Sequence, residues 1–142
     1  MNNVKYTFID LFAGAGGLSE GFIKAGFHPI AHIEMKKDAC HTLKTRSAFH
    51  YLKANNQLSI YEEYLRNKVE KTDGSALWSK VPSEIINATI NATIGEKTIN
   101  DIFQKVDCLK GDQNVDLIIG GPPCQAYSVA GRARMGKAVE DD

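Results

Sequence analysis

The residue with the clearest chemical potential is Cys124, which follows two glycines and two prolines in the stretch VDLIIGGPPCQAYSVAGRAR. The apolar run Val115 to Ile119 predicts a buried strand, and Gly120 and Gly121 allow a sharp bend at its end. The two prolines fix two φ angles, so the thiol is held at the carboxyl edge of a sheet. A thiol held there could act as a nucleophile once a base takes its proton. A small buried thiol is the alternative that these residues alone leave open.

Three glycines near the N-terminus form a second group. Gly14, Gly16 and Gly17 lie between two apolar segments, and Glu34 ends the next apolar run. Glycine lets backbone N–H groups approach a ligand closely, and a carboxylate at a strand end can accept hydrogen bonds from both hydroxyls of a ribose. A nucleotide-like ligand is therefore predicted, and a tight strand-to-helix turn without a ligand is the alternative. Ser19 occupies the third glycine position of the dinucleotide fingerprint G-x-G-x-x-G, which weakens a nicotinamide interpretation.

Positioning these residues requires a scaffold that brings several strand ends together. The β-loop-α-β-α alternation predicts an α/β, Rossmann-like fold, a parallel sheet with helices on both faces and ligands at the carboxyl ends of the strands. The predicted strands are Tyr6 to Phe12, Pro29 to Ile33 and Val115 to Ile119, with a short one over Val106 to Leu109. The predicted helices are Leu18 to Ala25, one that begins at Lys37, and Ser59 to Lys71.

The segment from residue 53 to residue 98 is predicted to be an elaboration on the edge of the sheet. Within it, Thr72 to Lys80 is predicted to be a loop because it contains the turn signal Asp73-Gly74. INATINATI, residues 86–94, is a small internal repeat with no periodic architecture behind it. No function follows from this segment.

Composition limits the class of protein. The 142 residues suit one domain with one core, and 17 basic residues balance 17 acidic ones. That balance gives no electrostatic support for a nucleic-acid partner; if DNA is involved, much of the surface that contacts its phosphates should lie elsewhere. The absence of a membrane-spanning run and of a signal peptide predicts a cytoplasmic protein. Three widely spaced cysteines without metal-ligand spacing predict a reduced, metal-free chain.

Three stretches of the chain match the motifs of one family, in that family's order. They are D-L-F-A-G-A-G-G-L at Asp10 to Leu18, I-E-M at Ile33 to Met35, and G-G-P-P-C-Q-A-Y-S at Gly120 to Ser128. In these motifs the chain resembles the DNA cytosine-5 methyltransferases. The resemblance implies the S-adenosylmethionine-dependent methyltransferase fold and membership of a bacterial restriction-modification system.

The resemblance also implies which residues contact S-adenosylmethionine. Glu34 would bind the ribose hydroxyls, and Met35 would cover the adenine where many family members have tryptophan. Asp101 and Ile102 are the best match to the family's next cofactor contact, with Asp112 as the competing candidate. The remaining residues implied around the cofactor are Phe12, Ala13, Gly14, Gly16, Gly17, Leu18 and Pro123.

The mechanism implied by the resemblance assigns a purpose to the thiol. The target cytosine rotates out of double-stranded DNA, Cys124 adds to its C6, and C5 then takes the methyl group. Residues 125–134 would form a mobile loop that closes over the DNA. Its implied contacts are Gln125, Ser128, Arg132 and Arg134.

Two motifs of the family have no match in this chain: E-N-V, whose glutamate assists the addition, and Q-x-R. The target-recognition domain is likewise unmatched, and the resemblance covers about the first third of a typical member. We therefore expect the N-terminal part of such an enzyme, truncated or completed by a second chain, which does not methylate DNA alone. The alternatives are a non-catalytic module that binds S-adenosylmethionine or a partner, and a fragment of a nicotinamide-dependent oxidoreductase.

Overall fold

The computed structural model describes residues 6–67 and 74–123, which contain four strands and six helices. The strands are β1 (Thr7–Leu11), β2 (His28–Glu34), β3 (Thr89–Asn91) and β4 (Leu117–Gly120). The helices are α1 (Gly17–Lys24), α2 (Lys37–Ala54), α3 (Leu58–Arg66), α4 (Ser75–Trp78), α5 (Ser83–Asn87) and α6 (Ile99–Lys110).

The four strands form one parallel sheet in the order β3-β2-β1-β4. Because all four strands run the same way, their carboxyl ends meet at a single edge of the sheet. The predicted α/β class with a parallel sheet is confirmed.

Helices cover both faces of this sheet. Phe8 of β1 contacts Phe22 of α1, with ring centroids 5.6 Å apart. The next residue, Ile9, packs in one buried cluster with Ile102 and Val106 of α6. Since successive side chains of a strand point to opposite faces, α1 and α6 lie on opposite sides of the sheet.

Polar contacts at the start of β4 set its register against β1. The Thr7 backbone N–H donates to Asp116 Oδ2 at 2.7 Å, and the Thr7 hydroxyl donates to the Asn114 carbonyl at 2.5 Å. With this register Gly120 lies beside Leu11, so β1 and β4 end at the same level. The loops that follow these two strands therefore begin side by side.

The strand predicted over Val106 to Leu109 is wrong, because these residues lie in α6. Taken alone, the four residues from Val106 to Leu109 have the composition of a short strand. The longer sequence places apolar side chains at Ile99, Ile102, Val106 and Leu109, which is the spacing of one helix face. The helical period over twelve residues prevails over the local propensity.

The segment 53–98, predicted to be an elaboration on the edge of the sheet, contains the short helices α3, α4 and α5 and the edge strand β3. The loop predicted over Thr72 to Lys80 is wrong in part, because α4 lies within it and begins after Gly74, whose φ is 88°. Leu77 of α4 is buried against Ala48 and Leu52 of α2, and this packing stabilises a helix of one turn. The helix predicted over Ser59 to Lys71 is confirmed as α3 as far as Arg66; Asn67 lies in a turn, and residues 68–71 lie outside the described part of the chain. No helix in residues 6–67 or 74–123 is long and apolar enough to cross a membrane.

One carboxylate links α1 to α2. Glu20 Oε1 lies 2.8 Å from Arg46 Nε and 2.8 Å from His50 Nε2. The hydrogen bond from Arg46 outweighs the effect of burial and lowers the pKa of Glu20 from 4.5 to about 2. Because this pKa is depressed in the folded state, the contact stabilises the fold above the ordinary pKa of 4.5, and the stabilisation disappears as the pH falls towards 2.

Glu20→Gln should lower the free energy of unfolding near neutral pH by about 1 kcal/mol, because the ion pair is partly exposed to water. Urea denaturation over a pH series should show this difference shrinking below the ordinary pKa of glutamate. Glu96→Gln, at an exposed position in a turn, is the control and should not differ from wild type. A Glu20→Gln difference that is equally large in neutral and strongly acidic solution would contradict the assignment.

Candidate functional site

A cavity of about 400 Å³ lies at the carboxyl edge of the sheet. It is lined by the end of β2 and by the segments that follow each of the four strands, and its volume is typical of a small-molecule site. Its lining residues are Phe12, Gly14, Ile33, Glu34, Met35, Lys36, Ala39, Ala92, Thr93, Ile94, Gly121 and Pro123.

The loop after β1 has an unusual backbone conformation. Phe12, Gly14 and Gly16 have φ angles of 57°, 56° and 88°, in the left-handed region that favours glycine. Phe12 is not a glycine, and such strained residues are concentrated at ligand-binding sites. The Ala13 N–H donates to the Ile33 carbonyl at 3.0 Å, which ties the loop to the end of β2. The loop thereby directs Phe12 and Gly14 to the cavity.

The rest of the glycine motif supports the site from behind. A Cβ at Gly16 would lie 2.9 Å from Leu43 Cδ2, so glycine allows the loop to approach α2 closely. Gly17 and Leu18 begin α1, and Ala13 is buried. None of these four residues lines the cavity.

Glu34 is the buried carboxylate of the cavity, with 7% of its surface exposed. Its Oε2 accepts a hydrogen bond from the Gly14 N–H at 2.8 Å, and its Oε1 accepts one from the Lys36 N–H at 2.7 Å. A carboxylate offers about four acceptor positions, so each oxygen can accept one further hydrogen bond. The side chain is thus held rigidly and fits a ligand that presents two neighbouring hydroxyl donors.

A row of buried polar side chains crosses β1, β2 and β3 at the level of His32, two residues before Glu34 in β2. Asp10 pairs with His32, and His32 pairs with Thr89, in the register of the sheet. Burial raises the pKa of Asp10, and burial lowers the pKa of His32 to about 4, which keeps His32 neutral. Ser19, which replaces the third glycine of the fingerprint, donates its hydroxyl to Asp10 at 2.5 Å. This residue therefore joins α1 to β1 through a buried hydrogen bond.

Asp101 and Ile102, predicted at the cofactor, and the competing candidate Asp112 are not among the residues that line the cavity. Asp101 is exposed in the first turn of α6, and Ile102 is buried between α6 and the sheet. Asp112 is exposed in the turn after α6. The wall next to β2 is formed by Ala92, Thr93 and Ile94, which follow β3.

Sequence reasoning missed residues 92–94 because β3 is only three residues long and lies within the INATINATI repeat. Such a strand is too short to show a period of two. The five residues predicted at the reaction and at the DNA, Cys124, Gln125, Ser128, Arg132 and Arg134, lie outside the described residues. Gly121 and Pro123, which precede Cys124 in the sequence, line the cavity.

The sequence pattern that defines the C-5 cytosine-specific DNA methylase family matches residues 6–70 and 65–141 of the chain, and this match decides the family. The chain belongs to this family. The match includes the glycine loop, Glu34 and the stretch around Cys124.

Curated relatives of this chain are named as type II methyltransferases, in one case as a putative one. The type II methyltransferase M.Bpa9945I of Bacillus paralicheniformis is 41% identical over 94% of this chain and 34% of its own length. The M.MjaORF1200P protein of Methanocaldococcus jannaschii is 33% identical over 89% of this chain and 37% of its own length. The type II methyltransferase M1.HphI of Haemophilus parahaemolyticus is 26% identical over 96% of this chain and 25% of its own length. The chain thus spans about a third of the length of the first two relatives. No solved structure matches it significantly.

The described residues of the chain do not contain a group of three His, Cys, Asp or Glu side chains that could hold a metal ion. Among the described lining residues, Glu34 provides a single carboxylate, and residues such as Phe12, Met35 and Ile94 provide apolar walls. These properties fit a nucleoside-like organic ligand with a planar base and a hydroxylated sugar.

Proposed function

We propose that this methylase chain binds S-adenosylmethionine and carries the nucleophile for methylation of cytosine C5 in DNA. The observation that carries the proposal is the Glu34 carboxylate, which is held by the Gly14 N–H in a cavity that Pro123 also lines. The names of the relatives as type II methyltransferases support a place in a restriction-modification system.

Different residues of the cavity would bind different parts of the cofactor. Glu34 would accept hydrogen bonds from the two ribose hydroxyls, and Phe12 and Met35 would contact the adenine with apolar surface. S-adenosylmethionine, when bound, supplies an electrophilic methyl group. We assign the contribution of the third strand to residues 92–94 rather than to Asp101 and Ile102, because residues 92–94 line the cavity.

Cys124 would provide covalent catalysis on a cytosine that has left the DNA stack. Its thiolate would add to C6 and place an electron pair on C5. C5 would then form the bond to the methyl group while the bond between that group and the cofactor sulfur breaks, which leaves S-adenosylhomocysteine. Loss of the C5 proton to a base and elimination of the thiolate would restore the aromatic ring. Residues 125–134, with Arg132 and Arg134, would close over the DNA and exclude water.

Calorimetry tests the ligand directly. S-adenosylmethionine and its product S-adenosylhomocysteine should bind the 142-residue chain with a stoichiometry near one, and NADH should not bind. The distinction is expected because the third glycine of the dinucleotide fingerprint is replaced by Ser19, whose side chain is buried. Preferential binding of NADH would overturn the proposed function.

Transfer of a labelled methyl group to DNA tests the catalytic part. The 142 residues contain neither an E-N-V nor a Q-x-R motif, so we expect them to bind the cofactor without methylating DNA on their own. Cys124→Ser serves as the control, because any genuine methylation must disappear in that variant. Cysteine-dependent methylation by these residues alone would contradict the expectation.

A further inference from the structure

We propose that Asn91 is a positioning residue that fixes the turn between β2 and α2 and thereby the Met35 wall of the cavity. This inference rests on the proposed function, because it concerns the same cofactor cavity. Asn91 does not line the cavity itself, so its effect would pass through the backbone of Glu34 and Met35.

Two hydrogen bonds from a single amide group carry the inference. Asn91 Nδ2 donates to the Glu34 carbonyl at 3.0 Å and to the Met35 carbonyl at 2.9 Å. An amide nitrogen has two hydrogens, so these two bonds use its full donor capacity. Asn91 ends β3 and pairs with Glu34 in the register of the sheet, which holds the donor in place.

The turn is held from several directions at once. The Glu34 carbonyl also accepts from the Ala92 N–H at 3.0 Å and lies 3.3 Å from the Cys40 thiol. On the other side, Glu34 Oε1 accepts from the Lys36 N–H. The backbone on both sides of Met35 is therefore fixed, while the Met35 residue remains 59% exposed. A flexible side chain on a rigid turn is a suitable wall for a planar base.

The chemistry of the site requires a donor at this position. An aspartate would have no N–H to donate, and its charge would lie beside two carbonyl oxygens and close to the Glu34 backbone. The replacement would therefore remove two hydrogen bonds and introduce repulsion.

The INATINATI repeat offers a matched control. Asn87 and Asn91 occur in the same tripeptide, Asn-Ala-Thr. Asn87 ends α5, and its side chain is exposed and makes no hydrogen bond to any residue in 6–67 or 74–123. The same substitution at both positions thus separates the turn contacts from the general effect of a new charge.

Calorimetry with S-adenosylhomocysteine compares Asn91→Asp with Asn87→Asp. Asn91→Asp should weaken binding at least about tenfold, because two hydrogen bonds that position the wall are lost. Asn87→Asp should bind as wild type does. Equal affinities in all three proteins would overturn the inference and leave the proposed function intact. Failure of the wild-type chain to bind S-adenosylhomocysteine would overturn both.

The methyl group of Met35 gives a readout that a merely structural role would not move. In the free wild-type chain, its ¹³C-methyl NMR signal, assigned through Met35→Leu, should differ from that of an unstructured methionine. In Asn91→Asp the signal should move towards the unstructured position while the folded core signals persist. An unchanged Met35 signal in the variant would overturn the inference. Should Asn91→Asp not fold, Asn91→Ser is the substitute, and the same two outcomes apply to it.

Discussion

Gly120→Ala should destabilise the chain by about 3 kcal/mol and abolish cofactor binding, the largest structural effect that we expect from one methyl group. A Cβ at this position would lie 2.4 Å from the carbonyl oxygen of Leu11 and 3.2 Å from its carbonyl carbon. Both atoms belong to the backbone of the neighbouring strand β1, so no side-chain rotation can relieve the overlap. The strands must separate, and the separation displaces Gly121 and Pro123 at the cavity.

Urea denaturation and calorimetry with S-adenosylhomocysteine measure the two parts of this prediction. Gly21→Ala is the matched control, because a Cβ at Gly21 would meet no atom within 4 Å and Gly21 lies in α1. Alanine in a helix should stabilise that variant by about 0.5–1 kcal/mol. A Gly120→Ala protein as stable as wild type would show that the contact between β1 and β4 is looser than the structure indicates.

Glu34→Ala should lower the affinity for S-adenosylmethionine at least about a hundredfold, the largest effect that we expect on binding. The variant loses the acceptor proposed for both ribose hydroxyls, and hydrogen bonds to a charged group contribute about 1.5–3 kcal/mol each. It also leaves the N–H groups of Gly14 and Lys36 without the carboxylate that they contact. The glycine loop and the first turn of α2 then lose their common anchor.

Glu34→Gln is not a conservative change at this position. Both carboxylate oxygens accept from backbone N–H groups, and an amide can satisfy only one of them because its nitrogen is a donor. We expect a loss of at least about tenfold in affinity, measured by calorimetry against Glu84→Gln, an exposed glutamate in α5. Wild-type affinity in Glu34→Gln would exclude the proposed role of the carboxylate.

The glycine loop and Glu34 were predictable because their signals are local. The segment from Thr7 to Glu34 contains β1, the glycine loop, α1 and β2 in direct succession. The strands and the helix are each long enough for the pattern of their apolar residues to be recognised in the sequence. In a parallel sheet the carboxyl ends of neighbouring strands lie at the same edge, so Glu34 at the end of β2 had to approach the loop after β1. The hydrogen bond between Glu34 and Gly14 is the direct result.

The wall formed by Ala92, Thr93 and Ile94 was not predictable in the same way. It depends on β3, a strand of three residues whose pairing with β2 joins positions far apart in the chain. Asp101 and Ile102 were predicted in its place from a motif of two residues, and α6 directs Ile102 to the core. The roles of Cys124 and of residues 125–134 remain predictions, since they lie outside the described residues.

The amino-acid sequence by itself determined the α/β class, the glycine loop with its acid and the family to which the motifs belong, because these depend on short stretches of chain. Only the tertiary structure decided which residues line the cavity and which residues behind them hold its walls in place. Asn91 illustrates the difference: its amide contacts carbonyls 56 and 57 positions away in the sequence. Such contacts arise from the pairing of strands that are remote in the chain, and no local periodicity records that pairing.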